Sequence, residues 1–290
     1  MEPRSWTILE LLRWTTEYLA GKSFHNPRLN AELLLAGVLG VKRLDLYLQF
    51  DRLLRPEELA EFKARLRRRA RREPLQYIEG QAAFRELRLR VDRRVLIPRP
   101  ETELLVGEVL DWAAGRGELE ALDVGTGSGA IALSLATEGA FRRVVATDLS
   151  EEALEVARLN HREAAPAAPV EFRPGDGYAA VAGERFDVVV SNPPYVAEEE
   201  RDSLDPEVRE WEPPQALFAG PGGLRVIREL VAGAPEVLRG GGLLALEVGF
   251  GQMEAVAALI RATGRFHEPQ VRRDLSGRDR IVLAEHVDME

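Results

Sequence analysis

Apolar positions recur with a helical period through the first seventy residues. Ile8, Leu11, Leu12 and Leu19 share one face of a helix, and residues 29–39 form a second amphipathic run. A third opens at Asp51 or at Arg55-Pro56-Glu57-Glu58, where proline suits the first turn and the acids suit the positive N-terminal end. No β-rich run interrupts these segments, so residues 1–73 read as a small helical bundle. Pro74-Leu75-Gln76-Tyr77-Ile78-Glu79-Gly80 reads as a hinge. Alternation at Leu87, Leu89 and Val91 reads as a hairpin over 84–95, so residues 74–98 form a linker.

From residue 99 the pattern switches to alternating strands and helices that run to residue 290. Helices are predicted over 101–114, 130–137, 151–161 (capped by Ser150) and 223–238. Strands are predicted over 119–124, 143–148, 170–173, 186–191 and 242–248, with an antiparallel pair closing around Val271 and Ile281-Val282-Leu283. Such alternation implies an α/β fold with a mostly parallel sheet covered on both faces. There is no internal repeat and no low-complexity segment.

Composition narrows the chemistry. The 290 residues include no cysteine and only four histidines (His25, His161, His267, His286) without ligand spacing, so disulfides, thiolate nucleophiles and a metal site are not expected. Met1-Glu2-Pro3-Arg4-Ser5-Trp6 lacks a basic region followed by a long apolar core, and no apolar run is long enough to span a bilayer. The expectation is a cytoplasmic protein. Net charge is −9, yet residues 1–75 carry 15 Lys/Arg against 10 Asp/Glu, which leaves the remainder strongly acidic. The surplus lies in Lys63-Ala64-Arg65-Leu66-Arg67-Arg68-Arg69-Ala70-Arg71-Arg72. That run fits a solvated helix end, where cations are favoured, or a surface for nucleic acid or an acidic partner.

Three loops carry candidate chemistry. Asp123-Val124-Gly125-Thr126-Gly127-Ser128-Gly129-Ala130 joins a strand to a helix, where glycines allow a tight turn and close approach of a ligand. Asp148 ends the next strand, placed to accept both hydroxyls of a ribose; Gly125, Gly127 and Ala130 equally fit the dinucleotide fingerprint. Asp176, in Pro174-Gly175-Asp176-Gly177-Tyr178, follows the third strand, as a turn aspartate or as an acceptor for an adenine amine. Asn192-Pro193-Pro194-Tyr195 ends the strand 186–191. Two ring-locked residues make a stiff loop whose carbonyls stay free to accept, beside a side-chain amide and an aromatic face. That loop suits a planar NH2 group. Ligands in open α/β sheets bind beyond the carboxyl ends of the strands. A nicotinamide enzyme does not need an amine-gripping loop there; a methyl-transfer enzyme does.

The glycine loop, Asp148 and Asn192-Pro193-Pro194-Tyr195 resemble the class I (Rossmann-like) S-adenosylmethionine-dependent methyltransferases that act on planar amines. Leu96-Ile97-Pro98-Arg99-Pro100-Glu101-Thr102-Glu103, Glu73-Pro74-Leu75-Gln76-Tyr77 and Arg273-Asp274-Leu275-Ser276-Gly277-Arg278-Asp279-Arg280 resemble, more narrowly, the peptide chain release factor glutamine N5-methyltransferase family (PrmC/HemK). The resemblance implies methyl transfer from S-adenosylmethionine, leaving S-adenosylhomocysteine, to the glutamine of a Gly-Gly-Gln motif in class I release factors. It implies a helical N-terminal domain that helps hold that protein, and a methyltransferase domain over 99–290. Gly125, Thr126, Gly127, Ser128, Gly129, Asp148, Asp176, Gly177 and Asn192 would then hold the methyl donor. Asn192, Pro193, Pro194, Tyr195, Arg99 and Glu101 would face the substrate, with Asn192, Pro193 and Tyr195 catalytic; Arg99 and Glu101 also fit an ordinary helix start. Glu247 could face the same cleft. The sequence departs from the family at Gly177, where a large aromatic is usual and Tyr178 follows, and at Phe84-Arg85-Glu86-Leu87. Neither a stable nucleic-acid complex nor a membrane is expected, and the chain is expected to be a monomer. The competing readings are an adenine-N6 methyltransferase of DNA or RNA, which would use the same loop on a flipped base, and a non-catalytic nucleoside-binding protein.

Overall fold

Thr7 starts the first helix through a capping box: its hydroxyl accepts from the Glu10 amide at 3.2 Å while the Glu10 carboxylate accepts from the Thr7 amide at 2.9 Å. The structure is a computed structural model that describes residues 5–287, and Met1–Arg4 of the N-terminal segment read above lie outside the described residues. The described chain forms two compact units. One takes in the residues up to Gly80 together with Pro206–Trp211, and the other takes in Gln81–Asp205 and Glu212 onward.

The first unit contains α1 (Ile8–Ala20), α2 (Pro27–Leu39), α3 (Arg43–Leu48), α4 (Pro56–Arg69) and α5 (Leu75–Glu79). Ile8, Leu19, Leu34, Leu35 and Phe62 bury the faces that the apolar period marks. The segment read as a hinge is α5, and its Tyr77 and Ile78 are buried. The helix Pro206–Trp211, far off in sequence, belongs to this unit too, although the sequence pattern assigns it to the methyltransferase part.

The basic run resolves into internal pairing. Arg65 pairs with Glu61 and Glu79, and Arg68 grips Glu73 with two bonds at 2.9 and 2.7 Å. Arg69 is buried. It donates to Asn30 Oδ1 at 2.7 Å, to the Glu73 carbonyl at 2.9 Å and to Glu207 at 3.2 Å, with its guanidinium 4.4 Å from the Phe24 ring centre. Arg72 donates to the Lys22 carbonyl at 2.6 Å and lies over the same ring. Arg67 and Arg71 are the arginines of the run whose residues are exposed along with Arg68. A polyanion needs a continuous basic track, and Arg65, Arg68, Arg69 and Arg72 are engaged with their own unit's carboxylates and carbonyls.

The second unit opens with a hairpin, β1 (Gln81–Phe84) and β2 (Leu87–Arg90), closed by the two-residue turn Arg85-Glu86 with Arg85 at φ 50°. The hairpin expected over 84–95 therefore lies earlier. Its first strand ends at Phe84, and Asp92 to Val95 instead close a turn through the Val95 amide and the Asp92 carbonyl.

There follow α6 (Pro100–Ala113), β3 (Leu119–Val124), α7 (Ala130–Glu138), β4 (Phe141–Asp148), α8 (Glu151–Ala164), β5 (Val170–Pro174) and β6 (Phe186–Ser191). After α9, the helix Pro206–Trp211 of the first unit, come α10 (Arg225–Val237), β7 (Leu238–Glu247), α11 (Met253–Ala262), β8 (Gln270–Arg273) and β9 (Asp279–Glu285). The order β5-β4-β3-β6-β7-β9-β8 is parallel from β5 to β7, with β9 antiparallel to both neighbours. This is the α/β, mostly parallel architecture that the alternation implies. Side chains alternate across the sheet: Ala121, Val188 and Val190 pack on one face, and Leu122, Val124 and Val189 on the other. The sequence reading lacks α11, whose Met253, Val256, Ala257 and Ile260 are buried at helical spacing. Among the described residues no helix is long and apolar enough to cross a membrane.

The topology fixes where a ligand can bind. Strand order reverses at β3, which has β4 on one side and β6 on the other. The loops leaving β3 and β6 therefore emerge side by side at the switch point.

Candidate active site

The glycine loop divides into two functions. Gly125 and Gly127 take φ of 75° and 56°, and a Cβ added at either would meet no protein atom within 4 Å. Gly129 at φ 83° differs: its Cβ would come 3.1 Å from Leu133 and 3.3 Å from Ala157. The first two leave open space for a ligand, and the third lets α7 pack against α8.

Two carboxylates hold this loop. Gly127 donates its amide to Asp148 Oδ2 at 2.8 Å, and the other Asp148 oxygen accepts from the Ser150 amide at 2.8 Å. Burial pushes the Asp148 carboxyl up, against these backbone donors. Asp123 is fully buried beneath the loop, where its Oδ2 accepts from Thr126 Oγ1 at 2.6 Å and the Ala132 amide at 3.1 Å. Burial pushes its carboxyl up to about 7.

A pocket of about 600 Å³ opens over these groups. Gly125, Gly127, Asp148, Asp176, Gly177, Asn192, Pro193 and Pro194 border it. Thr126, Ser128, Gly129, Arg99, Glu101 and Tyr195 do not. Thr126 is turned down to Asp123, and the Ser128 carbonyl accepts from Asn160 at 2.8 Å. Asp176 is exposed at the rim. Tyr178 also lines the wall, its hydroxyl donating to the Leu230 carbonyl at 2.9 Å and its ring seated against Gly233. Burial drives the Tyr178 phenol far up, so it stays a neutral donor. The open glycine backbone, the half-buried carboxylate and the pocket's size fit a nucleoside carrying an amino-acid arm.

The second loop is held from behind. Ser191 Oγ donates to the Val124 carbonyl at 2.6 Å, joining the end of β6 to the end of β3. Asn192 Nδ2 donates to Thr102 Oγ1 at 2.9 Å, and Thr102 Oγ1 donates to Glu247 Oε2 at 2.7 Å. Tyr195 donates its hydroxyl to Glu247 Oε1 at 3.1 Å. Glu247 is 1% exposed, and burial pushes its carboxyl up. Burial, with Glu247 next to it, pushes the Tyr195 phenol up as well. Gln252 clamps the same loop, donating to the Tyr195 carbonyl at 2.9 Å while its oxygen accepts from the Gly249 amide at 2.9 Å.

Arg99 donates to Glu212 Oε1 at 2.6 Å, and Glu212 also accepts from the Ile97 amide at 3.2 Å. The Arg99 charge is therefore satisfied by a buried carboxylate beside the loop. Glu101, in the first turn of α6, lies close enough to Glu247 to oppose its ionisation. Sequence reasoning did not assign Thr102, Gln252, Glu212 or Asp123 a role, and it treated Glu247 only as a group facing the cleft. Asn192 and Thr102 are 90 positions apart, Thr102 and Glu247 are 145 apart, and no local pattern links them.

Comparison with known proteins gives the family and the fold. Residues 10–80 match the PrmC N-terminal domain family, and residues 93–205 match the methyltransferase small domain family. A release factor glutamine methyltransferase from Geobacter sulfurreducens is 42% identical over 281 residues, covering 97% of both chains. One from Chlorobaculum tepidum is 41% identical over 288 residues, covering 96% of this chain and 97% of its own. Among solved structures, a methyltransferase from Pyrococcus furiosus superposes with a TM-score of 0.52 at 19% identity, over 70% of this chain and 90% of that one. The Thermus thermophilus 16S rRNA N2 G1207 methyltransferase, solved with AdoMet and guanosine, gives 0.52 at 19% identity over 71% of this chain and 49% of its own. At such identity the structural likeness concerns the fold.

Proposed function

The chain belongs to the release factor glutamine methyltransferase family and is an S-adenosylmethionine-dependent protein-glutamine N-methyltransferase, and from that premise we propose that it methylates the side-chain nitrogen (N5) of the glutamine in the Gly-Gly-Gln motif of class I release factors. The observation that carries the reading is the Asn192 carboxamide, fixed at the pocket wall with its nitrogen committed to Thr102.

Asp148 would hold the donor's ribose hydroxyls, Asp176 its adenine amine with Gly177 beside the base, and Gly125 and Gly127 its amino-acid arm. S-adenosylmethionine supplies a sulfonium methyl, and the transfer yields S-adenosylhomocysteine, an N-methylated amide and one proton. The rest falls to the protein. An amide nitrogen is a poor nucleophile because its lone pair is delocalised into the carbonyl. Asn192 Oδ1 and the Pro193 carbonyl would accept the two N–H bonds of the substrate, holding that nitrogen in line for transfer. The same acceptors favour a pyramidal, partly positive nitrogen over the planar ground state, so they assist the transition state more than the bound substrate. Tyr195, which does not border the pocket, would support this loop from behind through its hydroxyl bond to Glu247. No general base is required, since the proton becomes acidic only as the new N–C bond forms.

Residues 1–73 would help to hold the release factor. Transfer to an adenine amine would use the same acceptors, but the internal pairing of the Arg65–Arg72 run speaks against a nucleic-acid surface. Incubation with radiolabelled methyl donor and, in parallel, release factor, DNA and RNA tests the reading. Label in the release factor alone supports it, and label in a nucleic acid with none in the protein overturns it.

A further inference from the structure

We infer that Glu247, buried behind the amide loop, sets which end of the Asn192 carboxamide faces the methyl acceptor. The inference deepens the proposed function and rests on Asn192 as the clamp for the acceptor amide.

An asparagine side chain presents an oxygen on one side and an NH2 on the other, and the two orientations have nearly the same shape. Only one of them is productive. With Oδ1 toward the pocket, the substrate NH2 meets an acceptor; with Nδ2 toward the pocket, it meets another donor. The residues behind Asn192 decide between them. Thr102 has one hydroxyl hydrogen, and an ionised carboxylate has none to give. With Glu247 ionised, the 2.7 Å bond to it takes the Thr102 hydrogen, and the Thr102 oxygen accepts from Asn192 Nδ2 at 2.9 Å. Asn192 Oδ1 is then the end left for the substrate. Tyr195 donates to the second Glu247 oxygen, so each carboxylate oxygen accepts one hydroxyl.

A proton on Glu247 reverses the chain. The carboxyl can then donate to Thr102, Thr102 can donate to Asn192, and the amide is stable turned over by half a rotation. The charged and titratable groups facing Glu247 are Glu101 of α6, Tyr195 of the loop and Arg280 of β9. Burial and Glu101 favour the protonated carboxyl, while Thr102, Tyr195 and Arg280 favour the ionised one. Thr102 and Glu247 are thus positioning residues that act through Asn192.

The test follows the Asn192 side-chain NH2 by NMR in the full chain labelled with 15N-asparagine, where it is one of four asparagines and is assigned by its absence in Asn192→Ala. The expected result is a shift of this NH2 pair on acidification, beginning above the usual carboxylate range, that Thr102→Ser retains and Glu247→Gln and Thr102→Val abolish. In methyl transfer to release factor, Glu247→Gln and Thr102→Val should lower kcat about tenfold or more with S-adenosylmethionine affinity unchanged. The inference is overturned if the NH2 titrates in Glu247→Gln as it does in the wild type, or if both variants keep kcat within about twofold of it. A wild-type protein that leaves every release factor unmethylated would instead overturn the proposed substrate, and the NMR titration would still judge the relay.

Discussion

The Gly127 amide donates to Asp148 Oδ2 across 2.8 Å, so the glycine loop and the end of the neighbouring strand form one rigid frame. Asp148 also borders the pocket that Gly125 and Gly127 open. A ribose has two hydroxyls for such a carboxylate.

Replacing Asp148 therefore removes both a ligand contact and a loop support. Hydrogen bonds to charged groups contribute about 1.5–3 kcal/mol, so Asp148→Ala should weaken S-adenosylmethionine binding by about tenfold to a hundredfold. Asp148→Asn keeps one acceptor and should fall in between. Isothermal titration of both variants checks the order, and unaltered affinity in Asp148→Ala would remove the ribose assignment.

Gly223 should matter for the opposite loop. Its φ is 69°, and a Cβ there would come 2.1 Å from the Tyr195 carbonyl oxygen, which Gln252 also holds. Gly223→Ala must displace the amide loop. A shift of about 1 Å in a positioning group can reduce the rate about a hundredfold, so kcat should drop steeply while S-adenosylmethionine affinity stays within about twofold. Equal losses in both would mean that Gly223 supports the whole pocket.

These two sites differ in how legible they were. Asp123 to Gly129 and Asp148 are a strand, a turn and a strand end, so local pattern alone reveals them. The switch point could be inferred as well, because strand-helix alternation restricts the sheet order. The partners of Asn192 could not be. Thr102 reads as one residue of a proline-bounded helix start, and Glu247 as the last residue of an apolar strand. Their meeting depends on α6 packing against β7 and reaching the loop after β6, a tertiary fact with no local period. The helix Pro206–Trp211 was hidden for the same reason, since Arg69 and Arg72, over 130 positions away, tie Glu207 to the helical unit.

Arg69 should be a stability residue of that unit. It satisfies Asn30, the Glu73 carbonyl and Glu207 from a buried position. Arg69→Ala strands these partners, and losing one member of a buried pair costs roughly 3–5 kcal/mol. Urea unfolding of the full chain should show the loss. A change below about 1 kcal/mol, the level of an exposed pair, would contradict the burial argument.

Asp123 gives a pH signature of folding. Its carboxyl is held up at about 7 in the fold by burial, whereas the unfolded chain ionises it near the ordinary value of 3.8. A raised carboxyl contributes stability that is fully present below the unfolded value and is lost as pH climbs to the folded one. Between about pH 4 and pH 7 the wild type should therefore lose stability relative to Asp123→Asn. Unfolding curves for both proteins across that window test it, and parallel pH profiles would contradict it.

The central claim is that Asn192 and Pro193 present acceptors to a glutamine amide, and tandem mass spectrometry of a class I release factor tests it most directly. After incubation with S-adenosylmethionine and the wild-type protein, one methyl should lie on the glutamine of the Gly-Gly-Gln motif. With Asn192→Ala, which should still bind S-adenosylmethionine, that glutamine should stay unmodified. A methyl on any other residue, or an Asn192→Ala protein that methylates the glutamine as the wild type does, would contradict the account.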